Sequence, residues 1–255
     1  MIANYHTHTP RCNHAVGSET EYVQAAIDGG LQILGFSDHT PHFFPGEYYS
    51  RMRMRPWDLK DYVSTIRALQ KEYADQLQIH LGLEVEYYPA LMHELIPLLQ
   101  DFGIEYLLLG QHWNGNEQGQ PYNGRPTGDE RQLKTYCNQV IDAIHTGLFT
   151  YIAHPDILNF TGTDQAYKRH IRRLCKAAKS CNIPLELNLL GLREQRHYPT
   201  ARFWEIAAEE GCSVILGSDA HNPVHTVQPE VEASALAFLQ SFGLTPLQTT
   251  PIVNF

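Results

Sequence analysis

Ile2-Ala3-Asn4-Tyr5-His6-Thr7-His8 opens the chain as a short apolar run that stops at two histidines one residue apart. The device returns twice. Leu31 to Phe36 runs into Ser37-Asp38-His39, and Val214 to Leu216 runs into Ser218-Asp219-Ala220-His221. Residues i and i+2 of a strand point to the same face. His6 and His8 can therefore reach one ion together, and Asp219 and His221 can flank a shared site. Imidazole and carboxylate are ligands for Zn, Mn or Fe(II). Their repetition at successive strand ends predicts a multi-metal enzyme.

Outward from these anchors, short apolar runs alternate with longer helical patterns. The expected strands are Ile2–His6, Leu31–Ser37, Gln78–Val85, Tyr106–Gln111, Phe149–Ala153, Pro184–Asn188 and Ser213–Ser218. Ser18-x-x-Glu21 reads as a capping box that opens the first helix. Leu59, Tyr62, Val63, Ile66, Leu69 and Tyr73 form an amphipathic stripe in the second. Gly103 and Gly211 stand where helices should stop. Alternating β and α units imply a parallel sheet. Seven of them predict an α/β fold close to the (β/α)8 design but one unit short, a TIM-barrel-like form with its chemistry at the strand C-termini. The 255 residues suit one large domain, with no linker, repeat or low-complexity tract.

The formal charge of −9 argues against a nucleic-acid or anionic-membrane surface. It says little about a small site, where bound cations reverse the local field. Cys12, Cys137, Cys175, Cys181 and Cys212 form no C-x-x-C pair, so a reducing compartment is expected rather than a disulfide scaffold. Without an 18-residue apolar run or a basic region before an apolar one, neither a membrane span nor a signal peptide is expected, and the protein is placed in the cytoplasm.

The strand-end reading adds Glu84 after Leu83, His112 after Gln111, His154 after Ala153, and His14 in the loop after the first strand. The candidate ligands are then His6, His8, His14, His39, Glu84, His112, His154, Asp219 and His221. Any one of them alone is better read as a satisfied core or surface residue. Nine suitable residues at one end of almost every strand are not. Two long irregular stretches, Thr40–Pro56 and Trp113–Gly128, each begin just after a candidate ligand and are expected to cover the site.

The HTHT start, S-D-H, G-x-E, the His after the fourth strand, A-H-P-D and S-D-A-H together resemble the polymerase and histidinol phosphatase (PHP) family, over essentially the full length. Leu185-Glu186-Leu187-Asn188-Leu189-Leu190-Gly191-Leu192-Arg193 with Tyr198-Pro199 looks like its stand-alone histidinol phosphatases in particular. The resemblance implies a distorted (β/α)7 barrel, a single PHP domain over 1–255, and a site for three divalent ions. His6, His8, Glu84 and Asp219 would hold the first. Glu84 would bridge to a second, completed by His112 and His154. His14, His39 and His221 would hold the third. Arg193 matches an arginine that binds the substrate phosphate. A second phosphate arginine, which the resemblance places a few residues beyond His154, is absent: either Arg53, Arg55 or Arg125 from the long loops replaces it, or the substrate differs.

Such a site implies hydrolysis of a small phosphate ester, L-histidinol phosphate first, by a metal-bridging hydroxide. Asp38 and His42 are the candidates for general acid or for orienting a ligand. Three readings compete: a PHP phosphoesterase for another ester, an amidohydrolase, and a non-catalytic metal-binding or polymerase-accessory module. An amidohydrolase would leave His14, His39 and His221 without a use and would want a bridging lysine at a strand end. No oligomeric state is legible.

Overall fold

The computed structural model describes residues 1–255. Seven strands lie in chain order and pair in parallel: β1 (Ala3–Asn4), β2 (Ile33–His39), β3 (Gln78–Val85), β4 (Tyr106–Leu109), β5 (Tyr151–Ile152), β6 (Leu185–Asn188) and β7 (Val214–Gly217). Above the last ladder rung the two edges meet. Thr7 bridges Ala220, the His8 N–H donates to the Ala220 carbonyl at 2.9 Å, and the Ala220 N–H donates to the His6 carbonyl. The result is a nearly closed, distorted (β/α)7 barrel whose seam is built from the first and last histidine motifs.

Only β3 keeps both expected ends; the other six strands differ at one end or both, and two of these differences bear on the site. β1 stops at Asn4 instead of His6 because the Asn4 side chain takes over: its Oδ1 accepts the N–H of His6 at 3.2 Å and of Ser218 at 3.0 Å. β2 runs on through His39, because its ladder with β3 continues by pairing Asp38 with Leu83 and His39 with Glu84.

The helices pack outside the barrel. They are α1 (Glu19–Asp28), α2 (Leu59–Glu72), α3 (Pro89–Asp101), α4 (Glu130–Thr146), α5 (Asp164–Ser180), the short α6 (Leu189–Arg193), α7 (Ala201–Glu209) and α8 (Pro229–Gln240). Ser18 and Glu21 form the capping box of α1. Leu59, Tyr62, Val63, Ile66 and Leu69 are the buried stripe of α2.

Inside the barrel a lower layer of Tyr5, Tyr106 and Tyr151 packs with Ala3, Leu108 and Ile215. The Tyr106 hydroxyl lies 2.6 Å from the Tyr5 carbonyl and 3.1 Å from that of Phe36. This layer is a floor. Polar side chains above it sit on packed aromatic rings and can be reached only from the C-terminal end of the strands.

Candidate metal centre

All nine candidate ligands converge above that floor. His6 and His8 face each other, Nε2 to Nε2, at 3.1 Å. Asp219 Oδ1 lies 3.5 Å from His6 and 3.1 Å from His8, and Glu84 Oε2 is 3.6 Å from both. The other Glu84 oxygen lies 2.8 Å from His154 Nε2 and 3.6 Å from His112 Nε2. His39 Nδ1 is 2.9 Å from Glu84 Oε2. His14 and His221 meet at 3.0 Å, and with His39 they form one compact donor group; His6, His8 and Asp219 form another, and His6, Glu84 and His154 a third.

Donors this close need cations between them. Both Glu84 oxygens, Asp219 Oδ1 and His39 Nδ1 are buried without a hydrogen-bond partner, an arrangement that costs roughly 1–3 kcal/mol or more per group if nothing compensates. Divalent ions satisfy it, so the residues fit the metal that the chemistry of the set calls for. Burial lowers the His6 pKa, but Glu186, Asp219 and Glu84 outweigh it and raise the net value. His8 is likewise raised to about 9, mainly against burial by hydrogen bonds to Asp219 and Asp38. Burial pushes Glu84 and Asp219 up, and the surrounding imidazoles bring both well below the usual carboxylate range.

The backbone is shaped for this convergence. His154 and Asp219 both adopt φ of 47°, left-handed conformations that cost free energy for residues with a Cβ and turn each side chain inward off its strand end. Gly110 is required for a different reason: a Cβ there would overlap the Glu84 carboxylate, and one at Gly217 would overlap that of Glu186.

A second layer fixes the ring orientations, as is usual where an imidazole binds metal. Glu186 Oε1 takes His6 Nδ1 at 2.7 Å, and its other oxygen accepts the His154 backbone N–H. Glu86 Oε1 takes His112 Nδ1 at 2.9 Å. The Cys12 carbonyl takes His14 Nδ1 at 2.8 Å. Asp38 lies 3.5 Å from His8 Nδ1 and accepts from the Thr9 hydroxyl and the His39 N–H. It therefore sits behind a ligand, and no part of it lines the cavity. Sequence reasoning missed Glu86 and Glu186. The signal was present, since Glu84-x-Glu86 and Glu186-x-Asn188 repeat the i, i+2 device at the ends of β3 and β6.

The centre opens into a cavity of about 570 Å³. Met52 and Arg51 come from the first long loop, Trp113 and Tyr122 from the second, and Glu194, Arg196 and Tyr198 from the segment after α6. Both loops thus wall the site. The arginines require correction. Arg53 is buried with its fork closed on Glu86 and Glu117. Arg55 stacks over Tyr49 and Trp57. Neither these two nor Arg125 lines the cavity. Arg193 is turned to Gln228 and Glu194. Arg51 and Arg196 are the arginines in the wall. His42 does not line it either: it is buried 3.4 Å from Glu86 and beside the Tyr88 ring, and burial lowers its pKa.

The sequence profile of the PHP domain matches residues 4–189, and the chain belongs to the PHP family. It is a histidinol-phosphatase-like hydrolase of that family. The "probable histidinol-phosphatase" of Deinococcus radiodurans is 33% identical over 231 residues, 87% of each chain. The "probable histidinol-phosphatase" of Schizosaccharomyces pombe is 26% identical over 276 residues, 97% of this chain and 89% of the other. The fold is shared with the histidinol phosphate phosphatase of Lactococcus lactis, whose crystal structure is complexed with zinc, L-histidinol and phosphate. The TM-score is 0.73 at 18% identity, covering 97% of this chain and 96% of that one.

Proposed function

We propose that the protein hydrolyses L-histidinol phosphate to L-histidinol and phosphate, using three divalent cations held by His6, His8, Glu84 and Asp219, by Glu84, His112 and His154, and by His14, His39 and His221. The observation that carries this reading is the convergence of buried, partnerless carboxylate and imidazole atoms at the base of a cavity whose wall contains Arg51 and Arg196. The similarity to the Deinococcus radiodurans protein over most of both lengths supports the substrate, as do the ligands bound to the Lactococcus lactis fold relative. Zinc is supported by that same complex, and the donor set also accepts manganese or iron.

When bound, the cations supply positive charge that activates water near neutral pH and neutralises phosphoryl oxygens. The rest falls to the chain. Glu84, with one oxygen toward each half of the site, holds the halves in register. Arg196 and Arg51 offer planar forks that match phosphate geometry. Arg193, carried by the family resemblance, joins them once its side chain leaves Gln228. Trp113 and Tyr122 give the alcohol portion of the ester an aromatic wall. Asp38 places a carboxylate behind His8, 3.5 Å from its Nδ1. The amidohydrolase alternative is weakened because the cavity wall contains no lysine.

The test is phosphate release from a panel of phosphate monoesters by metal-loaded protein. Turnover of other esters with little of histidinol phosphate would keep the phosphoesterase and remove the substrate.

A further inference from the structure

Arg53 is the largest buried charge that the proposed chemistry does not use. It comes from the first long loop and is 1% exposed. Its Nη1 donates to Glu86 Oε2 at 2.7 Å and to the carbonyl of Thr40, next to His39, at 3.1 Å. Its Nη2 donates to Glu86 Oε1 at 3.1 Å and to Glu117 Oε2 at 2.5 Å. Glu117 belongs to the second long loop, where its backbone adopts φ of 70°, and it also accepts from the Tyr48 and Tyr88 hydroxyls. Glu86 in turn holds His112 Nδ1. A single guanidinium therefore ties together the end of β2, the end of β3 and both loops that wall the cavity. A buried carboxylate that loses a cationic partner is expensive, and Arg53 is the arginine that Glu86 and Glu117 share.

We infer that Arg53 is a positioning residue: through Glu86 it sets the ring of His112 for its cation, and through Glu117 it locks the two cavity loops to each other. This rests on the metal reading for its first half and on the loops alone for its second. Lysine is no substitute, because it cannot span two carboxylates with a planar fork.

Cobalt(II) titration followed by visible absorption tests the first half, with His112→Ala identifying the band that depends on His112. Arg53→Lys is expected to weaken that band's cobalt affinity by about 10–100-fold, the usual effect of losing a ligand's outer partner, while the other bands titrate as in the parent. Amide hydrogen exchange tests the second half. Segments 40–56 and 113–128 should exchange faster in both Arg53→Lys and Glu117→Gln. Equal weakening of every band, an unchanged His112 band, or unchanged exchange in Arg53→Lys would each overturn the inference. Should Arg53→Lys fail to fold, Glu117→Gln decides: faster exchange in both loops supports the clamp, and parent-like exchange overturns it. A parent that binds no cobalt would instead overturn the proposed function, and exchange would still decide the clamp.

Discussion

Glu84 depends on a residue that is not there: the missing side chain at Gly110. A methyl group at that position would occupy the space of the Glu84 carboxylate, and Glu84 touches the donors of both halves of the centre. Gly110→Ala must displace the buried Glu84 side chain and is expected to lose metal affinity by at least about 10–100-fold. Metal analysis after gel filtration checks this. The arginines give a second prediction at this scale. Arg196→Ala should weaken kcat/KM by about 2–4 kcal/mol, the range for a charge-assisted contact made in the transition state. Arg193→Ala should lose less, because that side chain is turned to Gln228 away from the cavity, whereas Arg196, held by Glu194 and Tyr198, already stands in its wall. Steady-state kinetics of the two variants side by side gives the order.

Among the elements, β3 carries both function and stability, one at each end. At its upper end stand Glu84 and Glu86. At its lower end His80 Nδ1 meets Glu105 at 3.0 Å, and Glu105 also accepts from Gln70 and the Leu81 N–H. Burial raises the Glu105 pKa, but these hydrogen bonds outweigh it and the net shift is downward from 4.5. A carboxylate with a depressed folded pKa contributes stability that is present above its unfolded value and lost as pH falls through the folded one. Glu105→Gln should therefore cost about 1 kcal/mol at pH 7, discounted because the group is partly exposed, and less at a pH well below 4.5, where the folded carboxyl has begun to titrate. Urea unfolding at the two pH values reads the difference. The upper end was legible in the sequence because each ligand motif is local: an apolar run, then His-x-His or Asp-x-His. The strand order followed from alternation alone. What stayed hidden depends on distant partners. Nothing near Arg53 announces Glu86 and Glu117, 33 and 64 residues away, so a buried clamp reads as a free lid arginine. The end of β1 was misplaced for the same reason, since Asn4 is paired with Ser218 across the whole chain.

At the scale of the molecule, the seam of the barrel and the metal centre are one structure. His6 and His8 come from the first strand's extension, Asp219 and His221 from the last, and the Thr7–Ala220 bridge lies between them. Cations bound there as proposed would join the two ends of the sheet, so binding would also be folding stability. Metal at a thousandfold excess over its Kd adds about 4 kcal/mol, which for a domain of this size is about 10 °C in Tm. Chelation should lower Tm by that order and abolish activity in the same titration; loss of activity with an unchanged Tm would separate the centre from the fold. A chain of charge −9 also needs cations to receive a phosphate dianion, and only the centre and the arginines at its rim supply them. The most direct measurement is kcat/KM for L-histidinol phosphate beside a panel of other phosphate monoesters, with protein loaded with zinc or manganese. Release of phosphate with histidinol phosphate as the best substrate is the predicted result. Fully metal-loaded, folded protein that releases phosphate from none of them would contradict the account.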